Sequence, residues 1–293
     1  MEPVLTVPPV GSHATVTGGL AVGGLGYAAE VGAEVIQVFV SNPRGWAAGP
    51  GDPVQDARLR ESGLPVFVHA TYMINLGSGN REVADRSAEA VAHALRRGGE
   101  IGARGVVVHA GSAAGWTGPD ARERALAQLG ELALPLLDKL SDDDPDLLFE
   151  PMAGQGQMLC ARAGDLDGYL AAVEHHPRAG ACLDTCHLFA AGHDLTARGG
   201  MAAMLAELGP DGAGRVKLVH ANDSLLDCGS RRDRHETIGA GRIGTEPFRG
   251  LIAALPGVPF VVETPGGKAG HARDIASLKG LRGRYRRPDC GRG

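Results

Sequence analysis

Short apolar runs alternate along the chain with longer stretches in which apolar positions recur every three or four residues. The runs at 4–13, 35–41, 65–70, 105–110, 146–150, 179–184, 216–220 and 259–263 are mostly apolar and rich in Val or Leu. This is the pattern of parallel strands covered on both faces. The periodic stretches at 20–30, 53–62, 86–101, 121–140, 166–175, 196–208, 246–255 and 271–281 read as amphipathic helices. Eight strands alternating with eight helices predict an α/β fold, a closed (β/α)8 TIM barrel with its active site at the C-terminal ends of the strands. The alternative is a doubly wound open sheet, but no GxGxxG turn follows the first run.

No linker or charge run divides the chain, so residues 1–281 are read as one barrel domain. Residues 282–293 hold five Arg and are read as a basic, flexible tail. The acidic stretch at 141–145 reads as a solvated loop between a helix and a strand. The formal net charge is −5, which does not advertise a nucleic-acid binder. It does not exclude one, because bound cations offset acidic ligands locally and net charge hides asymmetry. Five Cys at irregular spacing, without a CxxC pair, argue against a disulfide framework and fit a reducing compartment. The sequence shows no signal-peptide pattern and no apolar stretch long enough to span a bilayer, so a cytoplasmic protein without a membrane partner is expected.

The strand ends carry the chemistry. His69, His109, Glu150, Asp184, His220 and Glu263 close successive runs, and His13 closes the first. A lone His after an apolar strand is usually a hydrogen-bonded structural residue. That reading fails for the set, since a barrel gains nothing by lining one rim with His and carboxylates unless they share cations. Two loops add candidates. Asp184 and His187 are three apart in LDTCH, and Asp233 and His235 are two apart in SRRDRHETIG, where an extended backbone puts both on one side. Nine candidate ligands exceed what one four-coordinate ion uses, and three metals with one bridging carboxylate fit the count. Imidazole and carboxylate without thiolate suit zinc, with manganese as an alternative. Cys182 and Cys186 flank the cluster and read as packing.

Taken with their neighbours, these residues resemble the endonuclease IV family. GSHATVTGGL, QVFVSNPRGW, HATYMINLG, VVVHAGS, LFEPMAGQG, CLDTCHLFAAGHDL, LVHANDS, GSRRDRHETIGAGRIG and VVETP follow the family's motifs in order across nearly the whole chain. The resemblance implies a zinc-dependent DNA-repair endonuclease that hydrolyses the phosphodiester 5′ to an abasic site in double-stranded DNA and leaves a 3′-hydroxyl. It implies three zinc ions, a metal-bridging hydroxide as nucleophile, and a flipped abasic nucleotide. Carried over residue by residue, His69, His109 and Glu150 would hold the first zinc. Glu150, Asp184, His220 and Glu263 would hold the second, with Glu150 as the bridging catalytic carboxylate, and His187, Asp233 and His235 the third. Arg44, Tyr72 and Met73 stand where the family inserts side chains into DNA. A monomer is expected.

The chain departs from the family at a few places. Pro151-Met152 replaces a polar pair before AGQG, which removes an N–H and polar side chains beside the ligands. Met73 stands where Leu is usual, and Ala110 where Pro or Gly is common. Two rival readings remain. A sugar isomerase would use the equivalents of Glu150, Asp184, His220 and Glu263 but would not need the other five ligands. A non-catalytic lesion-binding barrel would use metals only to grip phosphate.

Overall fold

The computed structural model describes residues 7–209 and 212–283. In chain order its elements are β1 (Val10–His13), α1 (Leu20–Val31), β2 (Ile36–Phe39), α2 (Pro53–Glu61), β3 (Val66–His69), α3 (Arg81–Ile101), β4 (Gly105–His109), α4 (Ala121–Leu137), β5 (Asp146–Glu150) and α5 (Asp165–Ala171). There follow β6 (Ala179–Asp184), α6 (Thr185–Ala190), α7 (Gly200–Glu207), α8 (Gly212–Arg215), β7 (Val216–His220), β8 (Asp223–Ser224), β9 (His235–Glu236), α9 (Glu246–Ala254), β10 (Phe260–Val262) and α10 (Gly267–Gly283). Among the described residues, eight parallel strands close a barrel in the order β1-β10-β7-β6-β5-β4-β3-β2, while β8 and β9 form a separate antiparallel pair. The predicted (β/α)8 barrel is therefore present and the open sheet is not. No helix among the described residues is long and apolar enough to cross a membrane.

Local chemistry explains where the boundaries differ from the sequence reading. The first strand begins at Val10, because Pro8 and Pro9 have no N–H to give the ladder. The preceding residues 4–6 and the tail beyond 283 lie outside the described residues. α3 starts at Arg81 rather than 86, since the Asn80 side chain accepts from the N–H groups of Glu82 and Val83. α5 stops at Ala171, and Glu174 and His175 then turn through left-handed backbone angles. α7 starts at Gly200 because the Asp194 carboxylate holds Thr196 and Ala197 in a turn. The reading missed α6, α8 and the β8–β9 pair, which are too short to show a period.

Two layers lie between helices and barrel axis. The larger apolar core fills the space between strands and helices. A smaller cluster, Val35, Phe67, Val107, Leu148, Cys182, Leu218 and Val261, takes one side chain from seven of the eight strand segments and plugs the interior. At the corresponding place on β1 stands Gly11, where a β-carbon would overlap the Val35 carbonyl. This plug is the floor on which the site rests.

A candidate metal centre at the barrel mouth

Side chains alternate along a strand, so the residue two beyond each plug position points into the same axis. Counting two from Gly11, Val35, Phe67, Val107, Leu148, Cys182, Leu218 and Val261 gives His13, Gln37, His69, His109, Glu150, Asp184, His220 and Glu263. Register makes neighbours of them, for His109 pairs with Glu150 across β4–β5 and Asp184 with His220 across β6–β7. A bulge between Ala181 and Cys182 keeps β6 in step. The rim is deepest at Glu150, Asp184 and His220, which are buried to within about 1% of their surface, while His13, His109 and Glu263 are partly exposed.

The sequence-predicted ligands gather in three groups. His69, His109 and Glu150 present ligand atoms within 4.8 Å of one another, as do Glu150, Asp184 and His220, and as do His187, Asp233 and His235. Glu263 joins the second group, its Oε2 3.4 Å from His220 Nδ1. Glu150 stands between two groups with its oxygens divided. Oε2 lies 3.4 Å from His69 Nε2 and 3.7 Å from His109 Nε2, while Oε1 lies 3.1 Å from His220 Nδ1. His187 Nδ1 is 3.2 Å from the same Oε1, and His187 Nε2 is 3.3 Å from Asp233 Oδ2. His235 Nε2 sits 3.0 Å from Asp233 Oδ1 and 3.5 Å from Asp184 Oδ2.

Each of four imidazoles has one nitrogen tied to an acceptor outside the groups. His69 Nδ1 donates to Ala70 O at 2.7 Å, His187 Nδ1 to Pro151 O at 3.0 Å and His235 Nδ1 to Glu263 O at 3.2 Å. A carbonyl only accepts, so these nitrogens carry a proton, and the other nitrogen is the one that faces the carboxylates and is left for an ion. His220 is turned the other way, with Nε2 2.8 Å from Gln37 Oε1.

Electrostatics show what the rim lacks. Burial pushes His109 down to about 4. Burial also opposes charge on His187 and His220, yet the surrounding acidic groups overcome it and hold both well above the ordinary histidine value. His235 is half-buried, which opposes its charge, yet Asp184 and Asp233 raise it to about 9. Against the cost of burial, Glu150, Glu263 and the partly exposed Asp233 are held well below the usual carboxylate range by the surrounding imidazoles. Glu150, Asp233 and Glu263 thus draw positive charge toward them, whereas burial keeps Asp184 above the ordinary carboxylate value. Glu150 Oε2, buried, has no hydrogen-bond donor among the described residues. A buried carboxylate oxygen with nothing to accept from is costly. A divalent cation on the oxygen and nitrogen donors around it removes that cost, so the residues fit the ions that their types suggest.

A cavity of about 760 Å³ opens above the groups, lined by Tyr72, Met73, Ile74, Met152, Gln155 and Met158 together with the metal-type residues. Tyr72 and Met73 stand at its mouth, 46% and 42% exposed. Arg44 is also exposed but does not line the cavity. Its loop reaches the site through Tyr72 N, which donates to Pro43 O at 2.9 Å. The sequence reading expected Pro151-Met152 to weaken support for the ligands. Pro151 still supplies the carbonyl that His187 needs, and Met152 packs into the cavity wall. Cys182 belongs to the plug, as packing, whereas the Cys186 thiol lies 3.8 Å from Asp233 Oδ1 beside the third group.

Three supporting residues escaped the sequence reading. Gln37 bonds His220 and Glu263. Asn222 donates to Asp184 Oδ2 at 2.7 Å and accepts from Glu263 N at 2.8 Å. Asp223, fully buried, accepts from the N–H groups of Ser224, Gly239, Gly241, Ile243 and Gly244, which fastens the loop that follows His235. For Gln37 the signal was present as the two-residue offset from the plug.

The fold and this clustered rim define a barrel with candidate metal-binding groups at its mouth, and residues 25–281 match the xylose isomerase-like TIM barrel family. The chain is 55% identical over 282 residues to a probable endonuclease 4 of Streptomyces coelicolor, covering 94% of this chain and 95% of that one. It superposes on the crystal structure of endonuclease IV from Thermus thermophilus with a TM-score of 0.80 and 31% identity, covering 94% of this chain and 98% of that one. A D-tagatose 3-epimerase-like protein, at 19% identity and a TM-score of 0.67 over 94% of this chain and 96% of that one, shares the fold. The chain belongs to the endonuclease IV family of these barrels.

Proposed function

We propose that this protein is a DNA-repair endonuclease of the cytoplasm that acts as a monomer on double-stranded DNA, hydrolysing the phosphodiester 5′ to an abasic site and leaving a 3′-hydroxyl. The observation that carries the reading is the division of Glu150 between two ligand groups, with a third group beside them under one cavity. Its family relatives, named as endonucleases, support it. The third group, His187, Asp233 and His235, is one that a sugar isomerase has no use for.

In this reading His69, His109 and Glu150 hold one zinc, Glu150, Asp184, His220 and Glu263 hold a second, and His187, Asp233 and His235 hold a third, with manganese an alternative at any of them. Such ions, when bound, make a nucleophile available near neutral pH and neutralise charge that develops on the scissile phosphate. The rest is the chain's own work. The plug excludes water from below, and the carbonyls of Ala70, Pro151 and Glu263 fix the ring orientation of three histidines. Tyr72 and Met73 occupy the space left in the duplex when the abasic nucleotide flips out, and Arg44 contacts the strand beside them. A nucleotide without a base has little stacking to lose, so flipping favours the lesion.

The test is incubation of the metal-loaded protein with a duplex carrying one abasic analogue, with the product ends mapped and the metal content of the same sample measured. A single nick 5′ to the lesion and close to three ions per chain are expected. An uncut duplex, or one ion per fully loaded chain, would sink the reading.

A further inference from the structure

Among the eight rim residues, Gln37 alone cannot carry a charge, and it is fully buried. A primary amide in such a place needs partners for both its ends. Gln37 Nε2 lies 2.7 Å from Glu263 Oε1 and 3.1 Å from His13 Nδ1, and Gln37 Oε1 lies 2.8 Å from His220 Nε2. The orientation of the amide is not arbitrary. The Glu263 carboxylate only accepts, so the NH2 end must face it and the oxygen must face His220.

That orientation decides which nitrogen of His220 is available. Facing an amide oxygen, Nε2 carries the proton. Nδ1 is then the nitrogen that an ion displacing its proton would meet, and it is surrounded by Glu150 Oε1 at 3.1 Å, Glu263 Oε2 at 3.4 Å and Asp184 Oδ2 at 3.9 Å. The same amide occupies Glu263 Oε1 and leaves Oε2 turned toward that point. His69, His187 and His235 take the equivalent support from backbone carbonyls, which no substitution removes. His220 takes it from a side chain.

We infer that Gln37 is the positioning residue of the Glu150–Asp184–His220–Glu263 cation site: one amide holds His220 as the Nε2–H tautomer with Nδ1 toward the ion, and holds Glu263 with Oε2 toward the same ion. The inference rests on the reading of those four residues as ligands of one cation. Gln37 touches neither DNA nor the reacting atoms, so its effect runs through metal retention.

Two measurements test this. In the first, zinc is withdrawn from the full-length loaded protein by a competing chelator, for wild type and Gln37→Leu. Loss of this support should weaken one ion by about 10- to 100-fold and leave the others unchanged. In the second, wild-type protein with labelled histidine is loaded with cadmium, and nitrogen NMR reads which ring nitrogen of His220 couples to the metal. Nδ1 should couple, and Nε2 should keep a slowly exchanging proton. This measurement stands even where Gln37→Leu fails to fold. Coupling through Nε2, or wild-type affinity for every ion in a folded Gln37→Leu, overturns the inference while leaving the centre intact. A His220 that couples to no metal in the loaded wild type overturns the reading of the centre and the inference with it.

Discussion

A histidine ligand is only as good as whatever holds its other nitrogen, and in this rim that partner is mostly backbone. Pro151 shows the point: its N–H and a polar side chain are lost, but the carbonyl beside His187 Nδ1 is kept. The nine titratable candidates were legible because they close strands or sit in short DxH and DTCH spacings. Gln37 and Asn222 were not, because an amide has no titration and no motif to mark it, although both lie against the carboxylates. Glu150 is the residue whose role makes the strongest demand, since its two oxygens face different groups. Glu150→Gln replaces one anionic oxygen by an NH2 that would confront imidazole donors or cations. Single-turnover nicking of an abasic duplex should fall by about three orders of magnitude or more, because the loss is felt mainly in the transition state. Affinity for the duplex should change by less than about tenfold, as phosphate contacts carry most binding. Near-native nicking in this variant would remove Glu150 from the mechanism.

At the scale of elements, the site is a set of loops held in register by a few polar contacts. The Asn222–Asp223–Ser224 segment follows β7, pairs with His235–Glu236, and so brings Asp233 and His235 over His187. Two-residue strands carry no periodic signal, which is why sequence spacing placed Asp233 and His235 on one side without saying which elements did it. The loops after β2 and β3 are joined in the same manner. Thr71, buried, shares its hydroxyl proton between Pro43 O at 2.9 Å and Gly45 O at 3.1 Å, and these carbonyls flank Arg44. The next residue, Tyr72, donates its N–H to Pro43 O. Trp46, further along the first loop, lies under the Arg86 guanidinium of α3. Arg44 and the Tyr72–Met73 pair are therefore one unit. Thr71→Val keeps the shape and removes the donor, taking the hydroxyl from Gly45 O and leaving Pro43 O with the Tyr72 N–H alone. Affinity for abasic duplex should fall about tenfold, the equivalent of roughly 1.4 kcal/mol, with a smaller change for intact duplex. Thr71→Ser should restore the difference. Equal losses on both duplexes would mean that Thr71 supports the fold and not the joint action of the two loops.

Over the whole molecule, the alternation of apolar runs with amphipathic stretches was enough to reveal a barrel, because a closed parallel sheet repeats one simple unit. It could not reveal how the circle closes, since closure is made by residues far apart in sequence. β1 pairs with β10, and the first helix packs on the last. Glu34, in the turn between α1 and β2, ties this seam. Its Oε2 accepts from Val10 N of β1 at 3.1 Å and lies 2.6 Å from Arg282 Nη1, and its Oε1 lies 3.1 Å from Lys279 Nζ, both cations being on α10. Arg282 also donates to Pro8 O, so the residue read as the start of a free tail is held at the seam. Partial burial alone would raise the Glu34 pKa, but the Arg282 and Lys279 charges and the Val10 N–H outweigh it and bring it from 4.5 down to about 2. A carboxyl bound more weakly by protons in the folded state than in the unfolded state stabilises the fold wherever both are ionised, which is above about 4.5. That contribution fades as the pH falls toward the folded value near 2. The side chain is 38% exposed, so solvent screens the ion pairs and Glu34→Gln should cost about 1 kcal/mol at neutral pH, less than the pKa taken at face value implies. Denaturant unfolding of wild type and Glu34→Gln at pH 7, 5 and 3 measures this directly. The gap should be nearly the same at pH 7 and 5 and should shrink by more than half at pH 3. A gap that holds constant to pH 3, or widens on acidification, would show that the seam is closed by strand pairing and helix packing without help from this carboxylate.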